Sequence, residues 1–190
     1  MGEPKDIGAR AVRSIEIVAY DPQWPIDFTD ERNRLRALPS NPIVDIEHFG
    51  STAVPNLIAK PVIDILASVP TLDEANGFAG ELSSAGYEVV DVGFRTRIFL
   101  LKMVRGRIEA FHLHLVTCAA WPHKNERLFR DWLIAYPDVA RAYGELKREL
   151  AERFSTDRLA YTEAKTAFIT AAVNDARRSL GLPEEVSWEE

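Results

Sequence analysis

The stretch Val62, Ile63, Asp64, Ile65, Leu66, Ala67, Ser68, Val69 constrains this chain more than any other. It is apolar on both faces of an extended backbone, the pattern of a strand at the centre of a covered sheet. Within it stands one carboxylate. A period of two puts Asp64 on the face of Leu66 and Ser68, opposite Ile63, Ile65 and Val69. An acid is costly there unless it meets a cation or a hydrogen-bond donor, so Asp64 marks a candidate site. Upstream, His48-Phe49 ends a strand and Gly50-Ser51 turns into a short helix that Lys60-Pro61 closes. A helix start offers free N–H groups to an anion. Gly50 and Ser51 are therefore candidate phosphate contacts, or simply a turn glycine and an N-cap serine. Lys60, held extended by Pro61, either reaches the same anion or faces solvent.

The rest of the chain follows an α/β order with a helical last third. Residues 1–13 lack periodicity and are expected to be a loose tail, and 14–180 a single domain. Ile15, Ile17 and Ala19 form a short extended entry. Pro25 opens a helix to about Leu38, with Phe28, Leu35 and Leu38 inward and Glu31, Arg32, Arg34 and Arg36 in water. Trp24 reads as a core plug. Thr71 caps a helix along Leu72, Ala75, Phe78, Ala79 and Leu82, which Ala85-Gly86 ends. Three extended segments follow, YEVVDV, TRIFLLKMV and EAFHLHLV, the last two joined through Arg105-Gly106-Arg107 as a hairpin. Helices are then expected over Asn125 to Ala135, from Pro137 with Val139, Tyr143, Leu146, Leu150 and Phe154 inward, and from Asp157 to Leu180. The last buries Tyr161, Ala164, Phe168, Ala172 and Ala176. Residues 181–190 are expected to be a solvated acidic tail or an interaction strip. The order predicts a mixed sheet with helices on one face and a C-terminal helical layer covering it.

His112 and His114 leave the same face of one strand. With Asp64 they make a candidate metal set of a type that suits Zn²⁺, Mn²⁺ or Fe²⁺; the other reading is two hydrogen-bonded histidines on a half-exposed strand. His48 and Cys118 are weaker candidates, Cys118 reading as an inert thiol. Arg95, Arg97, Lys102, Arg105 and Arg107 cluster around two strands. Arg97 is the candidate anion clamp and the others read as edge-strand charges. Arg130-Asp131 reads as a local ion pair. Tyr161 and Lys165 are one helical turn apart and project together, so Lys165 joins the candidate ligand contacts. No Ser-His-Asp or Cys-His arrangement, Walker loop or dinucleotide fingerprint is present.

A formal charge of −6 disfavours non-specific nucleic acid and anionic membrane, but a local basic cluster is enough to hold a phosphorylated small molecule. One cysteine excludes an intrachain disulfide. With no spanning apolar run and no signal-peptide pattern, the expected location is the cytoplasm.

HFGSTAVPNLIAKPVIDI resembles the signature of the GrpB family, a branch of the nucleotidyltransferase superfamily. VAYDPQWPIDF, FHLHLV, LFRDWL, YGELK and YTEAKTAFI also resemble GrpB segments. The resemblance implies an α/β (α+β) nucleotidyltransferase-like mixed sheet, a nucleotide or other phosphorylated ligand, and a divalent metal, Mg²⁺ or Mn²⁺, with Zn²⁺ possible. It puts the segment of His112 and His114 on the strand where the superfamily places its third carboxylate, and with the residue pattern this makes Asp64, His112 and His114 the candidate metal-binding and catalytic residues. Gly50, Ser51, Lys60, Arg97 and Lys165 are then the phosphate or nucleotide contacts. The superfamily's second carboxylate is replaced by Leu66, which puts two-metal catalysis in doubt. Three readings stay open: a nucleotidyltransferase, a non-catalytic nucleotide-binding or regulatory module of the kind fused to dephospho-CoA kinase, and a His/Asp metal enzyme of another reaction class.

Overall fold

The computed structural model describes residues 14–106 and 108–185. The expected tail 1–13, Arg107 and residues 186–190 lie outside them. Five strands form one sheet in the order β1-β2-β5-β4-β3: β1 Ile46–Phe49, β2 Val62–Val69, β3 Glu88–Val89, β4 Arg97–Met103 and β5 Ala110–Thr117. β2 runs parallel to β5 and all other pairs are antiparallel, giving the mixed sheet that the sequence predicts. The central pair is the most buried, as expected of strands covered on both faces.

Pleating sorts the side chains. Ile63, Ile65, Val69, Leu113 and Leu115 face one side, where they pack with Trp24, Phe28 and Leu35 of α1 (Trp24–Arg36) and with Ala75, Phe78 and Leu82. Trp24 is a buried plug, as expected. Thr71 caps α2 (Leu72–Gly77) by accepting the Glu74 N–H, but the expected single helix breaks at Phe78 and resumes as α3 (Ala79–Ser84). Gly77 and Gly80 flank the break and weaken helix continuity. Gly86, at φ 93°, ends α3: its N–H bonds Ser83 O and that of Tyr87 bonds Leu82 O, a Schellman closure.

The opposite face carries Asp64, His112, His114, Arg97 and Phe99, as the registers Asp64↔His112 and Phe99↔His114 require. Helices α4 (Asn125–Ala135), α5 (Pro137–Arg153) and α6 (Arg158–Ser179) stand on this side, packed on one another through Leu133, Tyr143, Ile169 and Val173. They meet the sheet near β1 and leave a cleft over its centre. None of the helices among the described residues is long and apolar enough to cross a membrane.

Several expectations are corrected. Glu31 does not face water: it is 1% exposed and accepts from Tyr87 Oη at 3.0 Å and Lys102 Nζ at 2.7 Å. Lys102 is thereby the half-buried partner of a buried acid, not a free edge charge. The entry segment is a single bridge, Val18 to Ala59, with Ala19 exposed, and only Glu88–Val89 of YEVVDV forms a strand. On α6, Ala164 is exposed, while Ile169 and Val173 join the buried stripe. The start of the acidic end is exposed but tied to α6: Arg177 donates to Pro183 O and pairs with Glu185, whose backbone N–H bonds Asn174.

Candidate functional site

Gly50 sets the site. It links β1 to β2 at φ 72°, ψ −174°, a conformation open to glycine, and its bare Cα lies against Asp64. A Cβ there would overlap Asp64 Oδ2 and approach the Asp64 Cβ and Cγ to 3.0 Å. The expected short helix is a single 3-10 turn, Ser51–Ala53, so no helix dipole stands behind it. The loop is held by other means. His48 stacks on Phe28 at 4.9 Å and its Nε2 lies 3.0 Å from Thr52 Oγ1. The Thr52 hydroxyl donates to Val62 O, so the imidazole N–H donates to Thr52. Burial first, and then the Arg130 charge, lower the His48 pKa to about 4 against the opposing pull of Asp64.

Asp64 and His112 are brought together. His112 Nδ1 donates to Asp64 Oδ1 at 3.1 Å across the β2–β5 pair, with side chains 32% and 25% exposed. A small cavity of about 140 Å³ opens beside them, lined by Ser51, Lys60, Lys147, Tyr161 and Lys165. The ammonium groups of Lys60 and Lys165 each lie 4.4 Å from the Tyr161 ring centroid. The Lys147 ammonium lies 4.7 Å from the Tyr143 ring and donates to Ile58 O. Burial, and then the Lys165 charge, hold Lys147 well below the usual lysine range, with Asp64 opposing. Burial and then Arg158 lower Lys60 as well. Tyr143 is buried and its pKa raised, the Ser51 hydroxyl countering part of the shift.

The small cavity adjoins a wider cleft of about 780 Å³, which shares Ser51, Asp64 and Lys165 with it. That volume lies within the usual range for small-molecule sites. Its walls add Phe49, Phe94, Phe129, Arg158 and Leu159.

His114 is not joined to Asp64 and His112. It sits among Phe49, Phe94 and Phe99, and Arg97 Nη1 donates to its Nδ1 at 3.4 Å. Burial, reinforced by Arg97, lowers its pKa to about 3. Arg97 faces the cleft but is bound to Glu126 at 2.5 Å, both almost fully buried, so its charge is already balanced. Leu66 is fully buried opposite Glu47, and Glu47 is held by Arg127 and Arg130. Burial alone would raise the Glu47 carboxyl; those two arginines bring it below its usual value. Arg130 pairs with Asp131 as expected, and beyond that locality it also donates to His48 O. Cys118 is half-buried just past the end of β5.

The residues do not fit a two-metal centre. Among the described residues no group of three His, Cys, Asp or Glu side chains converges as a metal site. Hard divalent ions want several oxygen ligands, and Asp64 supplies one carboxylate. Instead the sequence concealed Lys147, a cation set between Leu146 and Leu150 in an otherwise apolar stripe. That interruption was its one readable signal.

A family profile described as GrpB protein matches residues 14–175. The chain belongs to the GrpB family. It is 38% identical over 165 residues to the UPF0157 protein PA4798 of Pseudomonas aeruginosa, covering 85% of this chain and 67% of that one. A crystal structure of GrpB from Enterococcus faecalis superposes with a TM-score of 0.78 at 30% identity, over 87% of this chain and 99% of the other. A dephospho-CoA kinase of Mycobacterium tuberculosis is 29% identical over 197 residues, which take in 90% of this chain and 47% of the kinase. The GrpB match thus takes in the loop, both central strands and most of the helical layer that carry the site.

Proposed function

We propose that this GrpB-family chain binds a nucleotide or another phosphorylated small molecule. Phosphates sit in the small cavity, and the organic part lies in the wider cleft. One observation carries the reading: three lysines from separate elements, Lys60, Lys147 and Lys165, line a small cavity beside Ser51 in a chain of net charge −6. Like charges gathered at partly buried positions repel one another and lose hydration, a cost that an anionic ligand offsets. The aromatic walls of the cleft, Phe49, Phe94 and Phe129, suit a flat ring. A divalent ion enters this reading as the ligand's own counter-ion, part of the substrate, with Asp64 as the carboxylate that lines the small cavity. The arrangement is the one that nucleotidyl transfer would use for positioning and charge neutralisation. A second reading, a binding module without turnover, is favoured by Leu66, buried where a second carboxylate would stand.

Calorimetric titration with nucleoside triphosphates, pyrophosphate and dephospho-CoA, with and without Mg²⁺ and Mn²⁺, tests the reading. We expect binding that weakens about tenfold in Lys60→Ala and in Lys165→Ala, the scale of one lost charge-assisted contact. Absence of binding across that panel, or affinity indifferent to both substitutions, overturns it.

A further inference from the structure

We propose that His112 is a nucleophile, taking a phosphoryl or nucleotidyl group from the bound ligand onto its Nε2. The inference rests on the phosphate-binding reading above and goes beyond it, from holding a ligand to a covalent step.

The first observation is the hydrogen bond to Asp64. A carboxylate only accepts, so the hydrogen on Nδ1 is the one that Asp64 holds, which leaves Nε2 as the ring nitrogen whose lone pair can attack. Gly50, packed on Asp64, and the register Asp64↔His112 fix the orientation. A nucleophile oriented by a third group is the recurring pattern of activated side chains. The second observation is the surroundings. His112 retains 32% side-chain exposure and lines the lysine cavity, whose 140 Å³ has room for phosphoryl groups but is smaller than an ordinary cavity for an organic ligand. Lys60, Lys147 and Lys165 meet the charge on the phosphoryl oxygens, the task that metal ions perform where several carboxylates converge. Among the described residues that line this cavity Asp64 is the one carboxylate, and its Oδ1 is occupied by the ring N–H.

In the step, the Nε2 lone pair forms a bond to phosphorus and the P–O bond to the leaving group breaks. The leaving oxygen keeps the electron pair and departs on pyrophosphate when the nucleotidyl group is taken, or on the nucleoside diphosphate when the terminal phosphoryl group is taken. Asp64, still holding Nδ1–H, balances the positive charge on the substituted ring. An acceptor hydroxyl or water then attacks phosphorus, the N–P bond breaks, Nε2 regains its pair, and the acceptor's proton passes to solvent. His114 has no part in this. Its Nδ1 accepts from Arg97 and its ring is enclosed by phenylalanines.

The experiment incubates the full chain with ATP radiolabelled at the α- or the γ-phosphate. It then measures acid-labile, alkali-stable label and intact mass, normalised to ligand bound in a parallel titration. We expect one adduct per chain from one of the two labels, mapped by peptide analysis to the segment containing His112. It should be absent in His112→Gln and form at least tenfold more slowly in Asp64→Asn, whose amide no longer enforces the Nδ1–H form. Wild-type protein that binds ATP without acquiring label overturns the covalent step and leaves the binding reading intact. An adduct mapped away from His112, or undiminished in His112→Gln, also overturns it. Failure to bind ATP, pyrophosphate or dephospho-CoA removes both readings together. Peptide mapping on the wild type keeps the test decisive even if a variant fails to fold.

Discussion

At Gly50 two demands meet: a backbone angle of φ 72° and a van der Waals contact with Asp64. Gly50→Ala therefore strains the loop and pushes the carboxylate from His112. We expect a loss of about 1–3 kcal/mol in urea unfolding, the cost of a forced backbone conformation plus a local overlap. Phosphate-ligand affinity should fall further than in a surface substitution of equal stability cost, because the strain lands on Asp64. Equal stability and affinity in Gly50→Ala would refute the contact. The spacing Gly50-Ser51 to Asp64 was legible, since a turn glycine, a small hydroxyl residue and an acid in an apolar strand are each unusual where they stand. Lys147 and Glu31 were not. A long side chain among apolar neighbours is assigned by habit to solvent, and only the partner brought from afar, Ile58 O or Lys102, reveals that it turns inward.

The loop element between β1 and β2 is pinned on the core side by His48, through the Phe28 stack and the Thr52 hydroxyl. Its pKa of about 4 sets an acid limit on the element. The unfolded histidine titrates near 6.5, so between pH 6.5 and 4 the unfolded chain binds the extra proton. Stability is then complete above that window and falls as pH drops through it. His114, lowered to about 3, acts in the same direction. We expect the urea midpoint to decline from pH 7.5 to pH 5, and the decline to be shallower in His48→Gln. A His48→Gln profile parallel to wild type would show that this ring is not the sensor. Element ends were readable where a side chain or a glycine closes them, as at Thr71, Asp157 and Gly86. The break at Phe78 and the two-residue β3 were not: glycines only weaken a helix, the Tyr and Val residues of 87–92 favour a longer strand than forms, and tertiary packing decides both ends.

Across the whole molecule, the sheet carries the acid and the histidines while loop and helices bring the cations, so the site exists only when both layers are folded together. The mixed sheet and its helical third could be read from the order of segments. The cleft between them could not, because no local pattern reports how far a helical layer stands from a sheet. This division has an energetic consequence. Lys147 is 2% exposed with Lys165 pressing on its charge, so the empty protein bears a cost at neutral pH. Lys147→Met keeps most of the volume and removes that charge, though it also loses the bond to Ile58 O. If repulsion and desolvation outweigh that bond, as replacement of buried charges by apolar residues often shows, the variant gains about 1 kcal/mol or more. The pH dependence separates the two contributions. With its folded pKa lowered, Lys147 binds fewer protons folded than unfolded up to about pH 10.4, so wild-type stability should climb relative to the variant as pH rises toward that value. Pyrophosphate should raise the wild-type melting temperature more than sodium chloride of equal ionic strength, and the variant's less, since it lacks one of the charges that the anion meets. A variant less stable than wild type at every pH, yet protected equally by pyrophosphate, would show that Lys147 serves packing alone.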